Sequence, residues 1–253
     1  VFGDWSSDVC SSDLVIVDPI DGTRPLMHDK RSGWVLTGIA GAGGARLSDI
    51  FLAAMTEVPT TRQWRADQYW AWKGGGALGE AEDLLRGGPG RPLRPRPAQE
   101  AGLLHGYAQV ARFFPGVKQE LAAIEEELFE GLLGEESRGR GHVFEDQYAS
   151  TGGQLHELFT GRDRFVADLR PLLGGVAAAR GLGRLLCCHP YDLCVELIAR
   201  EAGALVEDPG GGPLEAPLDT ATDVAWAGYA NPRIHALVAP ALREVLRRRR
   251  LRA

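Results

Sequence analysis

The sequence predicts an α/β protein in two lobes, a sheet-rich first lobe followed by one in which helix and strand alternate. Three observations predict it. Residues 14–72 hold a series of short segments rich in apolar and β-branched residues, each closed by glycine, proline or polar residues, which is the pattern of strands. After residue 117, amphipathic helical periodicity takes turns with short apolar runs, the order of an α/β lobe. Between the two, residues 86–97 end in GGPGRPLRPRP, too rich in proline and glycine for a helix interior or a central strand, and read as a surface loop near the end of the first lobe. At 253 residues the chain is long enough to bury a full core.

The first thirteen residues fit neither period. Ser6-Ser7-Asp8 recurs as Ser11-Ser12-Asp13, and WSSDVCSSDL resembles the translated read-through of a sequencing adaptor. Residues 1–13 are therefore set apart as a non-native segment, with 14–105 as the first lobe and 106–253 as the second. Residues 14–17, Leu-Val-Ile-Val, are a short apolar run bounded by Asp18-Pro19, the pattern of a buried strand ending in a turn. Strands at 34–40, 50–58 and 68–72 follow, and Gly74 to Gly76 form a connecting turn. No Gly-Lys-Ser/Thr follows those glycines, which excludes a P-loop.

In the second lobe, 117–133 places Leu121, Ile124, Leu128 and Leu132 at three- and four-residue spacings, with Glu125, Glu126 and Glu127 mostly opposite. This predicts an amphipathic helix with a wet acidic face. A helix at 154–159, a turn at Gly161, a strand at 164–169, a helix at 192–202 stopped by Gly203, and strands at 204–207 and 224–229 complete the alternation. Asn231-Pro232 caps and opens the last helix, which Pro240 must kink or divide.

Composition narrows the function classes. A formal net charge of -6 and a pI near 5.6 argue against a nucleic-acid partner, which demands a basic face. The cluster from Arg247 to Arg250 follows a helical pattern and reads as a solvated helix end. No apolar run approaches the roughly 20 residues that span a bilayer and no leader pattern is present, so a membrane is not a partner and the cytoplasm is the default compartment. Cys10, Cys187, Cys188 and Cys194 form neither CxxC pairs nor a disulfide framework and read as reduced, mostly buried thiols. His189 beside Cys187 and Cys188 suggests a metal site, but adjacent cysteines rarely point at one ion.

The strongest local signal is Asp18-Pro19-Ile20-Asp21-Gly22-Thr23, directly after the first strand. Proline and glycine fix a tight turn there, so two carboxylates three residues apart can converge while the Gly22 and Thr23 amides face an anion. Hard cations such as magnesium take such oxygen ligands and leave room for phosphate oxygens. The same residues also suit a purely structural turn whose aspartates accept bonds from local amides.

DPIDGT resembles the signature of the inositol monophosphatase family of magnesium-dependent, lithium-sensitive phosphatases. A second signature of that family, an aromatic-Asp pair opening a helix, is matched by Tyr191-Asp192 and the LCVELIAREAGALVEDPGGGPL that follows. Taken without the resemblance, Asp192 reads as a helix cap. Weaker matches are AWKGGGA at 71–77 and the stretch from Ser150-Thr151-Gly152-Gly153 to Phe165, so the likeness covers nearly everything after Val15.

The resemblance implies a layered α-β-α-β-α sandwich of the inositol monophosphatase and fructose bisphosphatase type, here lacking its N-terminal helices. It also implies Mg2+ as cofactor, with Asp18, Asp21, Asp192 and the Ile20 carbonyl as metal ligands. The Gly22 and Thr23 amides would hold phosphate, and the Thr23 hydroxyl would orient the attacking water. The partner it implies is a small phosphorylated metabolite, and family members are commonly homodimers. Asp163, Asp168 and Arg170 are candidate substrate contacts, as polar residues around a strand preceding the Asp192 helix.

Two departures from the family qualify the likeness. The family also uses a glutamate from an upstream Gly-Glu-Glu element, and residues 1–13 offer none. Its polar-aromatic continuation after DGT is replaced by Arg24-Pro25-Leu26-Met27-His28-Asp29-Lys30-Arg31, a basic rim that suggests an altered substrate or one with a second anionic group. His28 in that stretch reads as a surface bystander. The competing reading is a catalytically impaired or non-catalytic member that keeps the fold for binding or regulation.

Overall fold

The computed structural model describes residues 13–251, so the adaptor-like stretch, apart from Asp13, lies outside the described residues. The first sheet is a six-stranded antiparallel meander in sequence order: β1 (Leu14–Asp21), β2 (Gly33–Ala40), β3 (Ile50–Val58), β4 (Arg65–Trp72), β5 (Ala77–Asp83) and β6 (Arg91–Leu93). A five-stranded mixed sheet follows, built from β7 (Gly106–Val110), β8 (Val143–Phe144), β9 (Asp163–Asp168), β10 (Leu205–Glu207) and β11 (Trp226–Tyr229) in the order β10-β11-β9-β7-β8. Strand β7 runs parallel to β8 and β9, and the other pairs are antiparallel.

The helices are α1 (Thr23–Met27), α2 (Lys118–Leu133), α3 (Thr151–Phe159), α4 (Gly174–Ala179), α5 (Pro190–Leu193), α6 (Glu196–Ala202) and α7 (Pro232–Arg248). One apolar core joins the first sheet to α3 and α6 through Trp34, Leu36, Met55, Leu155, Phe159 and Ile198. A second core packs α2 and α7 on the other sheet through Leu121, Ile124, Phe165, Tyr229, Val238 and Leu242. Such burial is the main driving force for both layers. No described helix is long and apolar enough to cross a membrane.

Several expectations are corrected. The apolar run at 14–17 is an edge strand among the described residues: there β1 pairs with β2 alone, and Leu14, Val15 and Val17 are 40–50% exposed while Ile16 faces the core. Four consecutive apolar residues read alike whether one face of a strand is covered or both. The loop at 86–97 contains β6, and Pro92 is tolerated there because an edge strand leaves one side of its ladder unpaired.

Helix α3 begins at Thr151, three residues earlier than predicted, because the Ser150 side chain accepts the Gly153 amide and caps a first turn that two glycines disguise. The predicted 192–202 helix is two helices, α5 and α6, separated at Cys194 and Val195. Pro240 does not divide α7, which runs unbroken from Asn231, whose side chain accepts the Arg233 and Ile234 amides.

Glu125 does not belong to a wet face. It is buried, accepts the Val110 amide at 2.6 Å and pairs with Arg112 at 2.7 Å, and burial pushes its carboxyl up to about 7. At the basic C-terminal end, Arg247 pairs with Glu244, and Arg248 and Arg249 pair with Glu127, which is the solvated helix end the sequence predicted.

Candidate metal and phosphate site

Asp18 and Asp21 come from the end of β1. Residues three apart on a regular strand point to opposite faces. Here the register against β2 slips: Asp18 lies opposite Leu36 and Asp21 opposite Trp34, so three steps on one strand match two on the other. That bulge turns both carboxylates to one side. Gly22 then takes a left-handed conformation at φ 79°, and a Cβ there would sit 3.0 Å from the Ser150 Cβ. Glycine thus serves both the turn into α1 and the close approach of the segment before α3.

Asp192 arrives from the other side of the core. It is the third residue of α5 and accepts the His189 amide at 2.6 Å, so the cap predicted from sequence and the ligand implied by the resemblance are one side chain. Gly38 on β2 lets this segment come close, since a Cβ there would meet the Cys194 carbonyl at 2.8 Å. The carboxylates of Asp18, Asp21 and Asp192 converge with one oxygen each, all within 4.8 Å of one another. They are the one such group of metal-ligating side chains among the described residues.

Each aspartate is held by one oxygen. Asp18 accepts the Ile20 amide at 3.0 Å. Asp21 Oδ2 accepts the Ser150 hydroxyl at 2.8 Å and the Gly152 amide at 2.5 Å, at the first turn of α3. The Thr23 hydroxyl donates to the Ile20 carbonyl at 2.7 Å.

Crowding three carboxylates out of water raises the pKa of each. Burial lifts Asp21 to about 7, partly opposed by its bonds from Ser150 and Gly152. Burial and the neighbouring Asp21 charge lift Asp192 to about 8, and burial also raises Asp18. A divalent cation would reverse this cost, and three converging carboxylate oxygens form a hard-oxygen donor set that fits one. The cluster is compatible with a divalent-metal site.

Beside Asp21 and Asp192 lies a space of about 140 Å3 lined also by Ser150, Thr151, Phe113, Phe114 and Arg170. Arg170 therefore reaches the site, whereas Asp168 sits beneath it. Asp168 is fully buried and accepts Arg170 Nε at 2.8 Å and Nη2 at 2.5 Å, while Arg170 Nη1 donates to the Leu186 carbonyl at 2.8 Å. Asp163 is not brought to the cluster. It starts β9, roughly 16 Å along the strand from Asp168 at about 3.3 Å per residue, and accepts Gln109 Nε2 at 3.1 Å.

The residues that sequence reasoning did not assign are Ser150, Gly152 and the Phe113-Phe114 pair. The only signal for the first two was the weak match at 150–153. Cys187, Cys188 and Cys194 are buried free thiols, as read from sequence, and burial pushes Cys187 up to about 12, while Cys10 lies outside the described residues. His189 stacks on Tyr191 at 5.2 Å and stands 3.4 Å from Asp223, with no cysteine ligand cluster around it among the described residues.

Fold and cluster together define a two-sheet α/β protein with a carboxylate centre suited to a divalent metal. No protein-family model and no curated protein matches the chain. Solved structures do. The IMPase of Thermotoga maritima matches at 19% identity and TM-score 0.58, over 95% of this chain and 72% of that one. SuhB of Mycobacterium tuberculosis matches at 18% identity and TM-score 0.61, over 92% and 73%. An inositol monophosphatase from Anabaena matches at 16% identity and TM-score 0.58, over 94% and 77%. The fold is that of the inositol monophosphatases, as the sequence signatures implied.

Proposed function

We propose that the chain is a Mg2+-dependent hydrolase of a small phosphate monoester, such as a phosphorylated polyol, sugar or nucleotide. The observation that carries this reading is the convergence of Asp18, Asp21 and Asp192, two signatures 171 residues apart in sequence, on one point beside a pocket. Bound Mg2+ would supply the positive charge that lowers the pKa of water and neutralises the phosphate.

The chain's own residues supply position. Asp18, Asp21, Asp192 and the Ile20 carbonyl would hold the cation. The Thr23 hydroxyl, already donating to Ile20, keeps its lone pairs free to accept a hydrogen bond from water and so aim it. The Gly22 and Thr23 amides at the start of α1 would receive phosphate oxygens. Arg170, fixed by Asp168 and flanked by the Phe113 and Phe114 rings at 5.1 and 5.3 Å, would contact the organic part of the substrate or a second charge on it.

Asp18→Asn, Asp21→Asn and Asp192→Asn should each lower Mg2+-dependent phosphate release at least a hundredfold, and Li+ should inhibit the unaltered protein. Full turnover in any one variant removes that residue from the site. Absence of turnover on a panel of inositol, sugar and nucleotide phosphates, with Mg2+ bound, would favour the non-catalytic reading.

A further inference from the structure

Not all of the basic residues after the signature face the carboxylates. Lys30 and Arg31 line a separate cavity of about 490 Å3, against about 140 Å3 for the space beside Asp21 and Asp192. It lies where β2 and β4 begin and β3 ends, and His156 and Glu157 of α3 close its other side. Its volume falls in the range of small-molecule sites, about 300–1,000 Å3.

Five cationic side chains line it, Lys30, Arg31, Arg65, Arg91 and Arg162, against the three carboxylates of Glu57, Asp67 and Glu157. Five against three leaves a net charge of +2 in a chain whose formal charge is -6. The carboxylates are already engaged. Glu57 accepts the Ser32 hydroxyl at 2.5 Å, Gln63 Nε2 at 2.9 Å and the Asp67 amide at 3.0 Å. Asp67 accepts the Tyr69 hydroxyl at 3.0 Å, and Glu157 pairs with Arg162 at 3.0 Å.

Among the cations, Arg31 pairs with Asp146 and lies over the Tyr148 ring at 4.8 Å. Lys30, Arg65 and Arg91 form no ion pair among the described residues, and the Arg65 guanidinium lies over the Trp64 ring at 4.3 Å. These three come from three separate segments, the loop after α1, β4 and β6, so their convergence is a product of the fold.

The floor is fixed by buried groups. Trp34 Nε1 donates to the Tyr148 hydroxyl at 2.9 Å, that hydroxyl donates to the Ser32 carbonyl at 2.8 Å, and the His156 ring lies 4.6 Å from that of Trp34. Three unpaired cations around a rigid polar floor match a ligand with two anionic groups better than one with a single charge. Tyr148 is two residues before Ser150, so a ligand here rests against the segment that holds Asp21.

We infer that this cavity is a second small-molecule site, taking a ligand with two anionic groups such as a diphosphate, held by Lys30, Arg65 and Arg91 and separate from the carboxylate cluster. The inference does not depend on the proposed hydrolysis. It is tested by titrating pyrophosphate into the whole chain by calorimetry in divalent-free buffer at low ionic strength, where no cation bridges an anion to the carboxylate cluster.

One saturable site is expected, weakened about tenfold or more in Arg65→Ala/Arg91→Ala, kept within about twofold in Asp192→Asn, and weakened by added salt. Both arginines are exposed, so their loss should leave the fold intact, and a melting curve checks this. Should the double variant melt early, the single variants Lys30→Ala, Arg65→Ala and Arg91→Ala serve instead, each losing affinity severalfold. Absence of saturable binding, or binding that none of these variants weakens, overturns the inference. Binding lost in Asp192→Asn but kept without the arginines would place the anion at the carboxylate cluster and also overturn it.

Discussion

Gly152→Ala tests how tightly the first turn of α3 is fitted around Asp21. An added Cβ would sit 2.7 Å from Leu36 Cδ2 and 2.9 Å from Asp21 Oδ2, where ordinary contact begins near 3.4 Å. Leu36 is fully buried on β2, and the carboxylate would have to move by about 0.5 Å, from 2.9 Å to the 3.4 Å of ordinary contact. Overpacking of this kind costs about 1–3 kcal/mol. Alanine in place of a helical glycine offsets about 1 kcal/mol. The net destabilisation is then about 0–2 kcal/mol, a melting shift of no more than about 8 °C for a chain of this length. The effect on the site should be larger. On the proposed function, a displaced Asp21 carboxylate and a strained Gly152 amide bond should weaken Mg2+ binding about 10–100-fold, with a parallel loss of phosphate release. Calorimetric Mg2+ titration and a phosphate-release assay measure both. Gly175→Ala in α4, where the added carbon meets nothing within 4 Å, is the control. Native Mg2+ affinity in Gly152→Ala, or an equal loss in the control, would refute the reasoning.

Asp163 is buried, and that burial lifts its carboxyl to about 7 from an ordinary 3.8. Below about pH 4 it is neutral folded or unfolded; between about 4 and 7 the unfolded chain loses the proton first, so stability falls with rising pH and levels off above about 7. Asp163→Asn should therefore stabilise the protein above pH 7, by at most about 4 kcal/mol, and have little effect near pH 4. Urea melts across that range measure it, and an unchanged pH slope in the variant would count against the assignment. Asp168→Ala should cost about 3–5 kcal/mol, because it strands the buried Arg170 charge. Asp168→Ala/Arg170→Met should recover part of that loss in the same melts, and a double variant no more stable than the single one would show that the pair is not coupled.

Much of the fold was legible because the first lobe is a meander: strands closed by glycine and proline announce themselves one at a time. What stayed hidden depends on neighbours distant in sequence. Nothing local distinguishes an edge strand from a buried one at Leu14 to Val17, since both are apolar runs. Glu125 sits in an acidic triplet on a helix, and only the fold brings Arg112 and the Val110 amide to it. At the site, the three aspartates were assigned through two signatures rather than through spacing. Ser150 and Gly152 act through a serine hydroxyl and a backbone amide, neither of which leaves a strong mark in a sequence. Arg170 lines the space beside the cluster while Asp163 lies at the other end of β9, and sequence could not separate them because the two ends of one strand are equally polar while only one end faces the cluster.

The slipped register between Asp18 and Asp21 makes the first signature a matter of counting as much as of chemistry. The extra residue works as a phase shifter: it converts a spacing that would scatter two side chains across opposite faces into one that aims both at Asp192. Ile20 contributes a carbonyl and its amide to the motif, and backbone groups are common to many side chains, so its identity is free to drift. The number of residues is not. Removing one residue between the two aspartates would leave every ligand in the chain and still dissolve the centre, whereas most exchanges at position 20 would leave it intact. A sequence that keeps both aspartates but changes their separation by one has lost the site, however complete its inventory of acidic residues.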